Sequence, residues 1–108
     1  MTNMIVNRDI INRPLFSRQN GLKVYIYLLS LKAYKTYRIK NRQINKGEIA
    51  TTYHKIADTC NITISQAQRE IKLLIAEGEI TKVKQCKTFC IYTIKEYKAE
   101  RKKQYAEL

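Results

Sequence analysis

The segment NITISQAQREIKLLIAEGEI, residues 61–80, restricts the possible folds more than any other part of the chain. Thr63 followed three residues later by Gln66 is the signature of a capping box at a helix start. The helix is expected to stop at Gly78, because glycine readily adopts the left-handed backbone past a helix end. The residues expected on its inner face are Ala67, Ile71 and Leu74, widened by Leu73 and Ile75.

A second, shorter helix is predicted over 53–60, immediately before this turn. Thr52 is its expected N-cap. The residues that share its inner face at helical spacing are Ile56, Ala57 and Cys60. Asn61 and Ile62 are expected to form the turn, since asparagine tolerates the left-handed conformation. Two helices joined by a tight turn are therefore expected.

Segments with β propensity lie on either side of this helix pair. A short strand is expected over 47–51, and two runs, 80–85 and 88–94, are close enough to form a hairpin. The polar segment 34–46 is expected to form either a short hairpin or an ordered loop.

The strongest helical pattern lies earlier, over 21–33, and it is apolar around so much of its circumference that burial on two sides is expected. Either residues 1–20 or another subunit would cover the second side. Within that segment a break is expected at Arg13, because the residue before a proline disfavours helix. Leu15 and Phe16 are expected to anchor the segment to the body.

The predicted order is helix, strand, helix, turn, helix and hairpin, which is the order of a winged helix-turn-helix. The sequence thus predicts a mainly α fold with a small β-sheet. The chain length allows one core, so one domain over 1–97 is expected. A basic tail at 98–108 would follow, frayed or made helical by a partner.

The charge balance narrows the class of partner. The chain has 21 Lys and Arg against 9 Asp and Glu, a net charge of +12. An excess of this size points to a polyanion such as nucleic acid or an anionic membrane surface. The alternative is that the charge only keeps the protein soluble.

Other functional classes receive little support from the sequence. No apolar run approaches the ~20 residues of a membrane span. Three cysteines and a single histidine, His54, predict free thiols, a cytoplasmic protein and no metal site or cofactor. No phosphate-binding loop, carboxylate pair or nucleophile–base pair is evident, so we do not expect an enzyme.

The outward face of the third helix is the main candidate site. Its side chains are Ser65, Gln66, Gln68, Arg69 and Lys72. In a helix-turn-helix this face enters the major groove, where glutamine pairs with adenine and arginine with guanine. Ile64 is expected to be a core residue rather than a contact to a thymine methyl. The alternative for the whole set is an ordinary solvent-exposed helix face.

Two further groups are candidates for contact with phosphates. Lys82, Lys84 and Lys87 lie in the predicted hairpin. Thr52, Tyr53 and Lys55 lie at the start of the second helix, where the dipole favours an anion, although ordinary capping by Thr52 is an equal alternative. Eight tyrosines are present. Tyrosine rings can stack on unpaired bases, although tyrosines more commonly bury the ring and leave the hydroxyl in water.

Three stretches carry a family resemblance: NRPLFSRQNGLKVYIYLLSLKA, INKGEIATTYHKIADTCNITISQAQREIKLLIAEGEITKV and IYTIKEY. Together, over about residues 10–97, they resemble the amino-terminal winged-helix domain of phage replisome organisers and DnaD-like replication-initiation proteins. The shared motifs are PLF before the first helix, KGEI leading into a strand, and LLIAEGEI closing the third helix. The resemblance implies an oligomerising, DNA-associating module of phage or mobile-element replication, with Ser65, Gln66, Gln68, Arg69 and Lys72 at groove-facing positions.

The expected partners are therefore double-stranded DNA, a second copy of the chain in a homodimer, and replication proteins. The chain ends soon after this domain, so we expect DNA binding rather than helicase-loader recruitment. Replication initiation and transcription control both remain open. The competing hypothesis is a protein-interaction module whose basic surface meets an acidic protein.

Overall fold

The computed structural model describes residues 8–39 and 41–95. Its helices are α1 (Gln19–Leu31), α2 (Tyr53–Cys60) and α3 (Ile64–Ala76), preceded by two 3-10 turns at Arg8–Asn12 and Pro14–Ser17. Its strands are β1 (Tyr37–Ile39), β2 (Arg42–Ile44), β3 (Glu48–Thr51), β4 (Ile80–Gln85) and β5 (Cys90–Ile94). A mainly α fold is confirmed, with two small antiparallel sheets rather than one. The predicted basic tail lies outside the described residues.

The caps of α2 and α3 are those predicted from the sequence. The Thr52 hydroxyl accepts the Lys55 N–H at 3.0 Å. The capping box of α3 is complete, since Thr63 Oγ1 accepts the Gln66 N–H at 3.0 Å and Gln66 Oε1 accepts the Thr63 N–H at 2.9 Å. Asn61 has a φ of 58° and Gly78 a φ of 77°, so both take the left-handed conformation expected of them.

Helix α1 begins and ends two residues earlier than predicted. At its start, the Leu22 N–H donates to the Arg18 carbonyl at 2.9 Å, so the helix begins at Gln19 rather than at Gly21. At its end, the Ala33 N–H donates to the Glu48 carbonyl at 3.0 Å, and the Ala33 carbonyl accepts the Gly47 N–H. Pairing with the segment that leads into β3 therefore takes Ala33 out of the helix.

The segment before α1 covers one of the two apolar sides of that helix. Leu15 is fully buried in the same cluster as Val24 and Leu28, as predicted. The predicted break at Arg13 is present, with an extended backbone between the two 3-10 turns. The prediction that Phe16 is a second anchor was wrong, because Phe16 remains 44% exposed. Consecutive side chains of a 3-10 helix point in different directions, so only Leu15 of the two residues faces the body.

The main sheet has the strand order β3-β5-β4, and both pairings are antiparallel. One face of it, including Ile49, Tyr92 and Ile94, packs into the cluster formed by the three helices. Strand β5 begins at Cys90 rather than at residue 88, because the chain reverses just before it. In that reversal the Cys86 N–H donates to the Phe89 carbonyl at 2.8 Å.

A second, smaller cluster covers the opposite face of this sheet. Strands β1 and β2 form a short hairpin, which is one of the two alternatives predicted for residues 34–46. Ile44 of this hairpin is fully buried against Ile91 and Ala33. Ile39, Ala50 and Phe89 pack around them, half-buried. The sheet is therefore sandwiched between the helices on one side and the small hairpin on the other.

Burial of Tyr92 predicts a loss of stability in alkaline solution. Desolvation, followed by the neighbouring Tyr53 and Cys90, raises the pKa of Tyr92 above its ordinary value of 10.0. The unfolded chain therefore ionises first, so this contribution is complete below pH 10 and is lost as pH rises further. We expect Tyr92→Phe to escape a loss of about 1 kcal/mol that the wild type suffers between pH 10 and 11. Urea unfolding of both proteins at pH 8, 10 and 11 measures this, and parallel losses in the two proteins would contradict it.

Candidate nucleic-acid interface

Helix α3 separates its side chains into two faces as the sequence predicted. Ala67, Ile71 and Leu74 are buried in the main cluster. The predicted groove-facing residues are all exposed; these are Ser65, Gln66, Gln68, Arg69 and Lys72. The capping box fixes where the helix starts, and so it fixes which residues face outward.

Two isoleucines assigned to the inner face of α3 lie at its border instead. Ile64 and Ile75 are each 38% exposed. Ile64 is the first helical residue, and it lines a shallow groove of about 460 Å³ with Lys55, Asp58 and Asn61 of the preceding helix and turn. The prediction that Ile64 is a core residue was therefore wrong. Its methyl groups belong to the outer surface, beside the polar side chains.

The two glutamates of the α3 region are held on the side away from the exposed face. Arg18 Nε lies 3.1 Å from Glu70 Oε1, and Arg18 Nη2 lies 3.0 Å from Glu77 Oε1, while Nη1 contacts the other Glu77 oxygen. The hydrogen bond to Glu77, supported by Glu70, raises the pKa of Arg18 against the opposing effect of burial. Glu70 is itself buried. The outward face is consequently left with cationic and neutral side chains.

This ion-pair cluster was not predicted. Arg18 is 52 residues from Glu70 and 59 from Glu77, so no local pattern connects them. One signal was present: Glu70 lies three residues after Ala67 and four before Leu74, a spacing that places it beside the buried face. A glycine at position 21 leaves room for the cluster, because a Cβ there would lie 3.0 Å from Glu70 Oε1.

Gln66 has a structural role that restricts what it can bind. Its Oε1 already accepts the Thr63 N–H, which leaves the amide NH2 as its free group. A paired contact with adenine needs both the oxygen and the nitrogen of the amide. Gln68 has the same chemistry without a capping role, so it is the better candidate for a paired contact.

The start of α2 is close to the same surface. Thr52 and Tyr53 are half-buried, and Lys55 is exposed beside the groove that Ile64 lines. The Thr52 hydroxyl caps the helix, so the capping alternative is confirmed. Contact of these residues with a phosphate stays a prediction. Among residues 8–39 and 41–95, Asp58 is the one carboxylate that lines this groove.

The three lysines of the β4–β5 hairpin are exposed but do not share one face. Alternation along a regular strand places residues two apart, such as Lys82 and Lys84, on the same face. The register shifts between them, so that Lys82 lies opposite Tyr92 and Lys84 opposite Ile91. Tyr92 belongs to the helix-side cluster and Ile91 to the hairpin-side cluster. The single basic surface predicted for Lys82, Lys84 and Lys87 is therefore divided by a β-bulge.

Neither a protein-family model, nor a curated protein, nor a solved structure matches the chain. The resemblance to replisome organisers and DnaD-like proteins therefore stays a prediction from the quoted motifs. Among the helices of residues 8–39 and 41–95, none is long and apolar enough to cross a membrane. Cys60, Cys86 and Cys90 are free thiols, and burial raises the pKa of Cys60.

Proposed function

We propose that this protein is a winged helix-turn-helix that binds double-stranded DNA, with α3 in the major groove and β4–β5 as the wing. One observation carries the proposal. The exposed face of α3 presents Arg69, Lys72 and Gln68, while both nearby glutamates are tied to Arg18 on the other side. A groove-facing helix needs an outer face that phosphates do not repel.

Each exposed side chain suits one part of a duplex. Arg69 has the fork that pairs with the O6 and N7 of guanine, and Gln68 has the amide that pairs with adenine. Ser65, near the helix start, and Lys72, one turn beyond Gln68, suit phosphates on either side of the groove. Ile64 adds an apolar contact for a thymine methyl.

Phosphate contacts outside α3 set the register of the protein on the duplex. Lys82 lies on the face of the sheet that also packs on the helices, so it is the wing lysine that we assign to the duplex. Lys55, with the N-terminus of α2 behind it, is assigned to a second phosphate. Thr52 and Tyr53 support that helix end.

The biological role that we propose follows the resemblance. It is replication initiation or transcription control of a phage or mobile element, in the cytoplasm, by a homodimer that also meets replication proteins. Because a dimer reads two half-sites, the target would be a palindrome with half-sites about one or two helical turns apart.

A different function is favoured by one other feature, an apolar groove of about 650 Å³ between α1 and α2. Leu22, Ile26 and Tyr27 line it from α1, and Cys60 lines it from α2. Its size suits a small apolar anchor of a partner protein. A pull-down with and without nuclease separates the two functions, because a partner retained after nuclease treatment is bound through protein.

Replacing Lys82 with alanine is expected to weaken binding to all duplexes alike. Loss of one phosphate contact should flatten the slope of log Kobs against log salt by about 0.9. Fluorescence anisotropy at several salt concentrations measures the slope. Lys23→Ala, which removes an exposed lysine of α1, is the matched control and should leave the slope unchanged. Equal slopes for the wild type and Lys82→Ala would remove the wing from the interface.

A further inference from the structure

We propose that the β1–β2 hairpin and the turn before it bind single-stranded nucleic acid, separately from the duplex surface on α3. The side chains concerned, called here the hairpin surface, are Tyr34, Lys35, Arg38, Gln43 and Lys46. Unpaired bases stack on the Tyr34 ring, and the cationic groups hold the adjoining phosphates.

The ring of Tyr34 is exposed to solvent. Tyr34 is 64% exposed, whereas Tyr25 and Tyr92 are buried. A tyrosine in a monomeric domain usually buries its ring and leaves the hydroxyl in water. The Lys35 ammonium lies over one face of the Tyr34 ring, 5.8 Å from its centroid. A base stacked on the other face would therefore bring its phosphate close to a cation.

The segment that contains the hairpin is strongly basic. Residues 10–47 contain no aspartate or glutamate, and residues 32–46 alone contain six lysines and arginines. The nearest carboxylate along the chain, Glu48, accepts the Asn45 N–H at 2.8 Å. The Arg38 Nη2 donates to the Asn41 carbonyl at 3.2 Å, which holds the guanidinium beside the hairpin and leaves its other nitrogens for a phosphate.

Packing keeps this surface in a fixed position. Ile44 is fully buried and Ile39 is half-buried in the hairpin-side cluster, so these residues attach the hairpin to the sheet. Arg38 pairs with Gln43 across the strands, one residue out of phase with Ile39 and Ile44. Alternation therefore directs Arg38 and Gln43 to solvent. Tyr37 lies opposite Ile44, so alternation turns its side chain toward the sheet, away from Arg38 and Gln43.

The hairpin surface and the α3 face lie on opposite sides of the three-stranded sheet. The bulge in β4 places Lys84 on the hairpin side, opposite Ile91, and Lys82 on the helix side. The wing therefore has one lysine on each face of the sheet. A duplex and a single strand can be held at the same time without competing.

Single-stranded nucleic acid explains the exposed Tyr34 ring as well as the charge. Lysines and arginines alone would suit duplex phosphates or an acidic protein equally well. Bases within a duplex are already stacked and offer no face to a side chain at the surface, whereas unpaired bases stack on any aromatic ring. The combination of an exposed tyrosine ring with arginine and lysine favours the single strand.

The test is fluorescence anisotropy with a labelled oligothymidylate of about 20 nucleotides, beside a duplex of the same length. Tyr34→Ala is expected to lower affinity for the single strand by roughly 5- to 150-fold, the range of base–aromatic stacking. Tyr34→Phe keeps the ring and should bind like the wild type. Phe16→Ala, which removes an exposed ring from the 3-10 turn before α1, should also bind like the wild type. Both positions are exposed, so the three variants are expected to fold.

Affinity for the duplex should not change in any of these variants. An unchanged affinity of Tyr34→Ala for the single strand would overturn the proposal. An equal loss for duplex and single strand would also overturn it, because the hairpin would then serve duplex phosphates. Polyglutamate, added as a competitor, tests for binding of an acidic protein. If Tyr34→Ala weakened the binding of polyglutamate as much as that of the oligonucleotide, the proposal would also be overturned. Arg69→Ala should not alter single-strand binding, so failure of the duplex proposal and failure of this one are distinguishable.

Discussion

Replacing Arg18 with alanine is expected to lower the free energy of unfolding by about 3 kcal/mol. Removal of one partner from a buried ion pair costs about 3–5 kcal/mol, because the other charge stays buried without compensation. Glu70 would be left in this state, since its side chain is only 8% exposed. The lower end of the range applies because Arg18 is itself 25% exposed. Urea unfolding followed by circular dichroism measures the change.

Two further variants separate the ion-pair explanation from a general loss of packing. Arg18→Met combined with Glu70→Gln and Glu77→Gln removes the charges while keeping similar volumes, and it should recover much of the lost stability. Arg38→Ala, at an exposed arginine, should change stability by no more than about 0.5 kcal/mol. A loss for Arg18→Ala as small as that of a surface ion pair would contradict the account.

Arg69→Ala is expected to weaken binding to the preferred duplex by about 1–3 kcal/mol and to relax the base preference at one position. This is the discrimination that a paired arginine–guanine contact provides. Lys72→Ala, in contrast, should weaken all duplexes alike, because a lysine on a phosphate carries no sequence information. Selection of duplexes from a random pool, followed by sequencing, gives the preferred site for the wild type and for each variant.

Arg38→Ala is the matched control for Arg69, since it removes an exposed arginine on the other side of the sheet. It should retain the affinity and base preference of the wild type for duplex DNA. A pool that shows no enrichment with the wild type would contradict base reading by α3. An Arg69→Ala variant with an unchanged preferred site would do the same.

The elements that could be predicted were those set by neighbouring residues. Thr52 and Thr63 cap helices through groups three positions away, and Asn61 and Gly78 end helices through their own backbone freedom. For this reason the bounds of α2 and β4 agree with the prediction. The exposed face of α3 followed in turn, because a fixed helix start and a period of 3.6 residues determine which side chains face outward.

The features that the sequence did not reveal depend on distant parts of the chain. The Arg18 cluster joins the start of α1 to α3, and nothing near Glu70 indicates its partner. The separation of Lys82 from Lys84 depends on a bulge whose position is set by pairing with β5. The end of α1 depends on hydrogen bonds from Ala33 to the Gly47–Glu48 segment. In each case tertiary pairing overrides the local pattern.

The central claim is that the exposed side of α3 meets duplex DNA, and chemical-shift mapping of the labelled protein tests it most directly. Backbone and side-chain amide signals are followed while the selected duplex is added. The largest changes are expected at 64–72, with smaller changes at Lys55 and Lys82 and none in the α1–α2 groove. Changes concentrated around Leu22 and Cys60, with α3 unaffected, would contradict it.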